Sequence, residues 1–106
     1  MTNTHLVNTL ETYHKLHSVG QRRKFLQQST NSFVIFICEG LKTLLAGHIP
    51  NVHSKPLQPY ENQLRRLTAK KTSIKERRVI LASPKGLALL SKTVGTILNY
   101  LRQWVQ

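Results

Sequence analysis

Seven of the fourteen residues from Arg65 to Arg78 are cationic, namely Arg65, Arg66, Lys70, Lys71, Lys75, Arg77 and Arg78, and Glu76 alone opposes them. A solvated helix face ordinarily mixes both signs of charge, and this stretch does not. The chemistry open to such a strip is phosphate binding, in which each contact releases a condensed counterion and adds to a steep salt dependence. A second cluster, Arg22-Arg23-Lys24, extends the same potential surface. Neither cluster interleaves aromatic residues, so stacking on single-stranded bases is not indicated. The spacing fits neither a zinc finger nor a basic zipper, and no helix-turn-helix stands out. The expectation is contact with a polyanion backbone, without base reading, through Arg65, Arg66, Lys70, Lys71, Lys75, Arg77 and Arg78 together with Arg22, Arg23 and Lys24.

Other chemistry is thinly provided. His14 and His17 stand three residues apart, and His48 and His53 share a Pro-containing stretch, but with no Asp and one Cys a metal site would be built almost wholly of imidazole. The histidines read instead as groups that add positive charge as pH falls. The four acids, Glu11, Glu39, Glu61 and Glu76, are scattered along the chain, and no Gly-rich phosphate loop occurs. Cys38 ends the apolar run Phe33-Val-Ile-Phe-Ile-Cys, the setting of a buried, inert thiol. No catalytic residue, metal or cofactor is expected, and the chain reads as non-enzymatic.

The whole composition agrees with the local signal. Sixteen Lys and Arg against four Glu in 106 residues give a net charge of +12. A charge this far from zero repels itself in the compact state, and an anionic partner neutralises it. Nucleic acid, with double-stranded DNA favoured, is the first partner expected; an acidic protein or an anionic membrane surface is the alternative. A hydrophobic fraction of 40% is enough for one modest core, so a single helical domain over 1–106 is expected. Met1 to Leu6 has neither the basic start nor the apolar run of a secretory signal, which points to an unsecreted protein made in a reducing compartment.

The elements that must position these residues are helices. Leu6, Val7, Leu10, Tyr13 and Leu16 form one face of a helix over about 3–17. Ser18 and Gln21 have the form of a capping box opening a second helix that runs to about Gln28. Asn31 or Ser32 can cap a third, from Phe33 to a stop at Gly47, apolar on most sides and expected at the centre of the core. Its first residues could also be a buried strand, but Ile37, Leu41, Leu44 and Leu45 keep the helical period. A loop over 48–56 follows, and Pro59 suits the first position of a helix carrying Tyr60, Leu64 and Leu67. Ser73 and Glu76 make a second capping box for a short helix, and Ser83-Pro84 opens the last, over 84–104. The fold class is therefore all-α, a small bundle of four to six short helices, with no internal repeat evident. Leu87, Leu90, Val94, Ile97, Leu101 and Trp104 form a heptad-like seam that either closes the core or joins a homodimer. The same face could lie in a lipid interface, although burial in the protein is the default.

The order of these motifs resembles the small basic late proteins of Maverick/Polinton transposons and related adintoviruses. The likeness runs from about Gln21 to Leu101 and rests on Gln21-Arg-Arg-Lys-Phe-Leu, Ile37-Cys-Glu-Gly-Leu, Leu44-Leu-Ala-Gly-His-Ile-Pro, and Leu64-Arg-Arg-Leu-Thr-Ala-Lys-Lys-Thr-Ser-Ile-Lys-Glu-Arg-Arg-Val-Ile-Leu. The resemblance implies a virion-associated, DNA-condensing core protein acting in the virion and host nucleus, with the block from Arg65 to Arg78 facing DNA. In two places the chain departs from that pattern. Gly40 stands where a second Cys is expected after Glu39, and Ala82-Ser-Pro-Lys-Gly with a heptad-like helix replaces a Gly-rich apolar tail. The departures point away from a membrane-disrupting tail and toward a folded C-terminal helix.

Overall fold

Hydroxyl side chains set most of the helix starts. A helix leaves its first N–H groups without intrahelical acceptors, and a Ser or Thr oxygen just before the first turn supplies one. In the computed structural model, which describes residues 4–47 and 55–103, six α-helices follow one another. They are α1 (Thr4–Lys15), α2 (Val19–Gln28), α3 (Asn31–Leu45), α4 (Glu61–Thr68), α5 (Ile74–Ala82) and α6 (Pro84–Arg102), with a 3-10 helix over Lys55–Tyr60. Ser18 Oγ accepts from Gln21 N–H at 3.0 Å, and Ser73 Oγ accepts from Glu76 N–H at 3.1 Å. Ser83 Oγ accepts from Gly86 N–H, also at 3.1 Å. No strand occurs among the described residues, and the β-branched run after Ser32 is helical.

Two sequence expectations need adjustment. The cap of α3 is Thr30, whose Oγ1 accepts from Phe33 N–H, rather than Asn31 or Ser32. Pro59 lies inside the 3-10 helix, and the α-helix begins two residues later at Glu61. Residues 48–54 of the expected loop, with His48 and His53, lie outside the described residues, as does Trp104.

The core forms where the apolar stripes meet. The helix α3 buries Phe33, Val34, Ile37, Cys38, Leu41 and Leu44, and packs against α1, α4, α5 and α6. Tyr13, Phe25 and Phe33 form a chain of rings with centroids 5.8 Å apart at each step, in tilted and edge-on geometries that aromatic pairs favour. Of the seam on α6, Leu87, Leu90, Val94 and Ile97 are buried within this chain's own core, and Leu101 is half-buried against it.

The two halves of the chain share a plan. In each half a first helix (α1 or α4) leads into a Ser-capped second helix carrying an Arg-Arg pair, Arg22-Arg23 or Arg77-Arg78. Each second helix then turns into a third with almost no linker. At the α2–α3 corner Ser29 Oγ donates to Leu26 O and Thr30 opens α3. At the α5–α6 corner Ser83 alone does both, donating from Oγ to Ile80 O while capping α6. The second corner is tight. A Cβ added at Gly86 would overlap the Ile80 carbonyl oxygen and stand 2.7 Å from that of Leu81.

Backbone atoms cannot rotate aside as a side chain can, so Gly86→Ala is expected to destabilise the protein by about 3 kcal/mol, the upper part of the range for overpacking. Gly20, on α2 with open space around its Cβ position, gives the opposite sign: Gly20→Ala is expected to stabilise by about 0.5–1 kcal/mol. Urea denaturation of the two variants checks both.

Candidate nucleic-acid interface

An arginine can serve a fold or a ligand with the same five donors, and its surroundings decide which. All seven arginines of this chain have intramolecular partners. Four of them hold the carbonyl ends of helices, where the last C=O groups lack intrahelical donors and the helix dipole favours a cation. Arg22 Nε donates to Leu16 O at 3.0 Å, just beyond α1, and its guanidinium also reaches His14 O and Ser91 Oγ while lying over the Tyr13 ring. Arg77 Nη2 donates to Ala69 O at 2.7 Å, the end of α4. Thus the first arginine of each pair closes the helix before its own. The second arginine crosses to the other half: Arg23 Nε donates to Ala82 O at the end of α5, and Arg78 Nη2 donates to Ser29 O and Asn31 Oδ1 at the end of α2.

The other sequence-selected arginines lie at the surface. Arg65 pairs with Glu61 at 2.7 Å and Arg66 with Glu76 at 3.3 Å, both members of each pair well exposed. Exposed pairs of this kind are worth about 0–1 kcal/mol, so a stronger anion can take either guanidinium. Arg102, outside the selected set, pairs with Glu11. The lysines behave differently. Lys24, Lys70, Lys71 and Lys75 are exposed, and none has a hydrogen bond or ion pair among the described residues. Lys70 and Lys71 sit on the turn between α4 and α5, Lys75 on the first turn of α5, and Lys24 on α2, which packs against α5.

One cation escaped the sequence reading. Lys42 lies on α3, taken as a core helix, yet it is exposed and lines a recess of about 60 Å³ with Lys70, Arg77, Glu39, Thr68, Leu67 and Cys38. The available signal was the apolar period of α3, which passes from Leu41 to Leu44 and leaves Lys42 outside. Cys38 itself is buried, and that burial pushes its thiol up to about 11 against the pull of the Arg77 guanidinium. Burial likewise pushes the Tyr13 hydroxyl up to about 12, with Arg22 opposing, and the hydroxyl has no hydrogen-bond partner among the described residues. Among the described residues no group of three His, Cys or Glu could hold a metal ion, and no helix is long and apolar enough to cross a membrane.

Three consequences of these surroundings are measurable. Arg78→Met keeps the aliphatic stem but strands Ser29 O, and is expected to cost about 1–3 kcal/mol in urea unfolding, whereas Lys71→Gln leaves stability unchanged. Folding also holds the Cys38 and Tyr13 protons above their ordinary pKa values, so between about pH 9 and 12 the unfolded chain binds fewer protons than the folded one. Stability is therefore intact below pH 9 and falls as pH rises through that window. A Cys38→Val, Tyr13→Phe double variant should flatten the alkaline decline in a pH series of melting temperatures.

No known protein family matches this chain, nor does any curated protein or solved structure.

Proposed function

We propose that this is a non-enzymatic protein that binds double-stranded DNA through its phosphates, without sequence preference, and helps to condense or package it. The observation that carries the reading is the set of exposed, unpaired lysines around the α4–α5 turn, Lys70, Lys71 and Lys75, on a chain of net charge +12. Lysine ammonium groups on flexible stems act as point charges, and they follow a phosphate backbone without the planar fork that reads a guanine edge. Arg65 and Arg66 can join them by exchanging weak carboxylate pairs for phosphates, and Lys24 extends the set onto α2. Arg22, Arg23, Arg77 and Arg78 then act chiefly from beneath, holding the helices that carry the lysines. The resemblance to small basic proteins of Maverick/Polinton transposons and adintoviruses supplies the setting within the proposal, a DNA genome packed in a particle.

Binding to a fluorescent duplex across a salt series tests the reading, with Lys24, Lys70, Lys71 and Lys75 changed together to Gln. The wild-type protein is expected to show a steep dependence of log K on log salt. The variant should lose about 0.9 of that slope for each phosphate contact removed while its helicity persists. Absence of binding at low salt overturns the proposal, and binding to anionic vesicles under the same conditions would transfer the basic surface to a lipid partner.

A further inference from the structure

We infer that the recess where α3, α4 and α5 meet is a subsite for one tetrahedral oxyanion, a phosphate group, and this deepens the proposed reading and rests on it. Three cations from three separate elements converge there: Lys42 from α3, Lys70 from the turn after α4, and Arg77 from α5. Glu39 is the one carboxylate in the lining, so the recess carries a clear positive excess. Its volume of about 60 Å³ exceeds the roughly 10–15 Å³ that a single water requires and suits a small polyatomic anion.

The donors of the recess are unequally committed. The Thr68 hydroxyl donates to Leu64 O at 2.8 Å and is spent on its own helix. Arg77 uses Nη2 on Ala69 O, but its Nε–H is buried without an acceptor. A buried, unpaired donor on a cation costs free energy, and an anion drawn beside it recovers part of that cost through the field of the guanidinium. Lys42 and Lys70 are exposed and have no side-chain partner among the described residues, so they can close over an oxyanion without breaking a contact seen there. These two lysines share a concavity with a third, anchored charge, which turns diffuse attraction into a localised site.

The recess can receive a phosphate of the DNA backbone or a free phosphate, and one experiment with two arms distinguishes them. The full chain, labelled with nitrogen-15, is titrated with inorganic phosphate at constant ionic strength, beside a Lys42→Gln, Lys70→Gln variant. Saturable amide shifts centred on Lys42, Thr68, Lys70 and Arg77, with a rise in melting temperature of about 4 °C or more at saturation, are expected for the wild type and not for the variant. Unsaturable shifts spread equally over Lys15, Lys85 and Lys92 would overturn the inference, as would saturation retained in the variant. In the second arm, Lys42→Gln alone is measured against duplex DNA. A salt slope lower by about 1 assigns a backbone phosphate to the recess, and an unchanged slope with saturable phosphate binding assigns the free anion. DNA binding without any phosphate site sinks this inference and leaves the proposed function standing. A phosphate site without DNA binding does the reverse.

Discussion

A guanidinium resting on the carbonyl end of another helix is the contact on which this bundle depends. Short helices have little stability of their own, since nucleation is unfavourable and a helix of about ten residues is marginal in water. Their last carbonyls are also left without donors, and at a crowded corner water has poor access to them. Arg22, Arg23, Arg77 and Arg78 answer both problems together, because each satisfies a stranded carbonyl, matches the helix dipole with a positive charge and ties two elements to one another. The apolar packing around α3 provides most of the burial, but these four contacts fix where the helix ends meet.

A division between the two basic residue types follows. Arginine, with several donors in a rigid fork, can hold more than one acceptor, as Arg22 and Arg78 do. Lysine, with a compact and strongly hydrated charge, remains in solvent and keeps the surface positive. A chain of +12 thus stores part of its charge in its own scaffold and displays the rest. Each inward guanidinium meets a carbonyl dipole, which offsets part of the self-repulsion of the folded state.

Much of the fold was legible because its signals are local. The hydroxyls of Ser18, Ser73 and Ser83 lie within three residues of the N–H groups they cap, and the period of α3 is visible in its own sequence. The cap of α3, expected at Asn31 or Ser32, lies one or two residues earlier at Thr30, because Thr30, Asn31 and Ser32 are all competent caps in a row. The candidate site was legible as charge and illegible as geometry. Nothing in Arg-Arg distinguishes a side chain that meets solvent from one that meets a carbonyl 49 or 59 residues away. The repeated plan of the two halves leaves a trace in the sequence, Ser18 with Arg22-Arg23 and Ser73 with Arg77-Arg78 at one spacing, but the carbonyl that each arginine meets is set by the fold.

The exchange of Arg23 and Arg78 between the halves bears on how the protein comes apart. Each second helix ends on a serine of its own half, but the arginine that reaches the carbonyl beyond it, Ala82 O or Ser29 O, is carried by the other half. Fraying of α2 withdraws support from α5, and fraying of α5 withdraws it from α2, so loss in one half raises the free energy of the other. The two arginines therefore couple the opening of one half to that of the other. The repeated plan is thus crossed by two contacts, and either half gives up both of them when it opens.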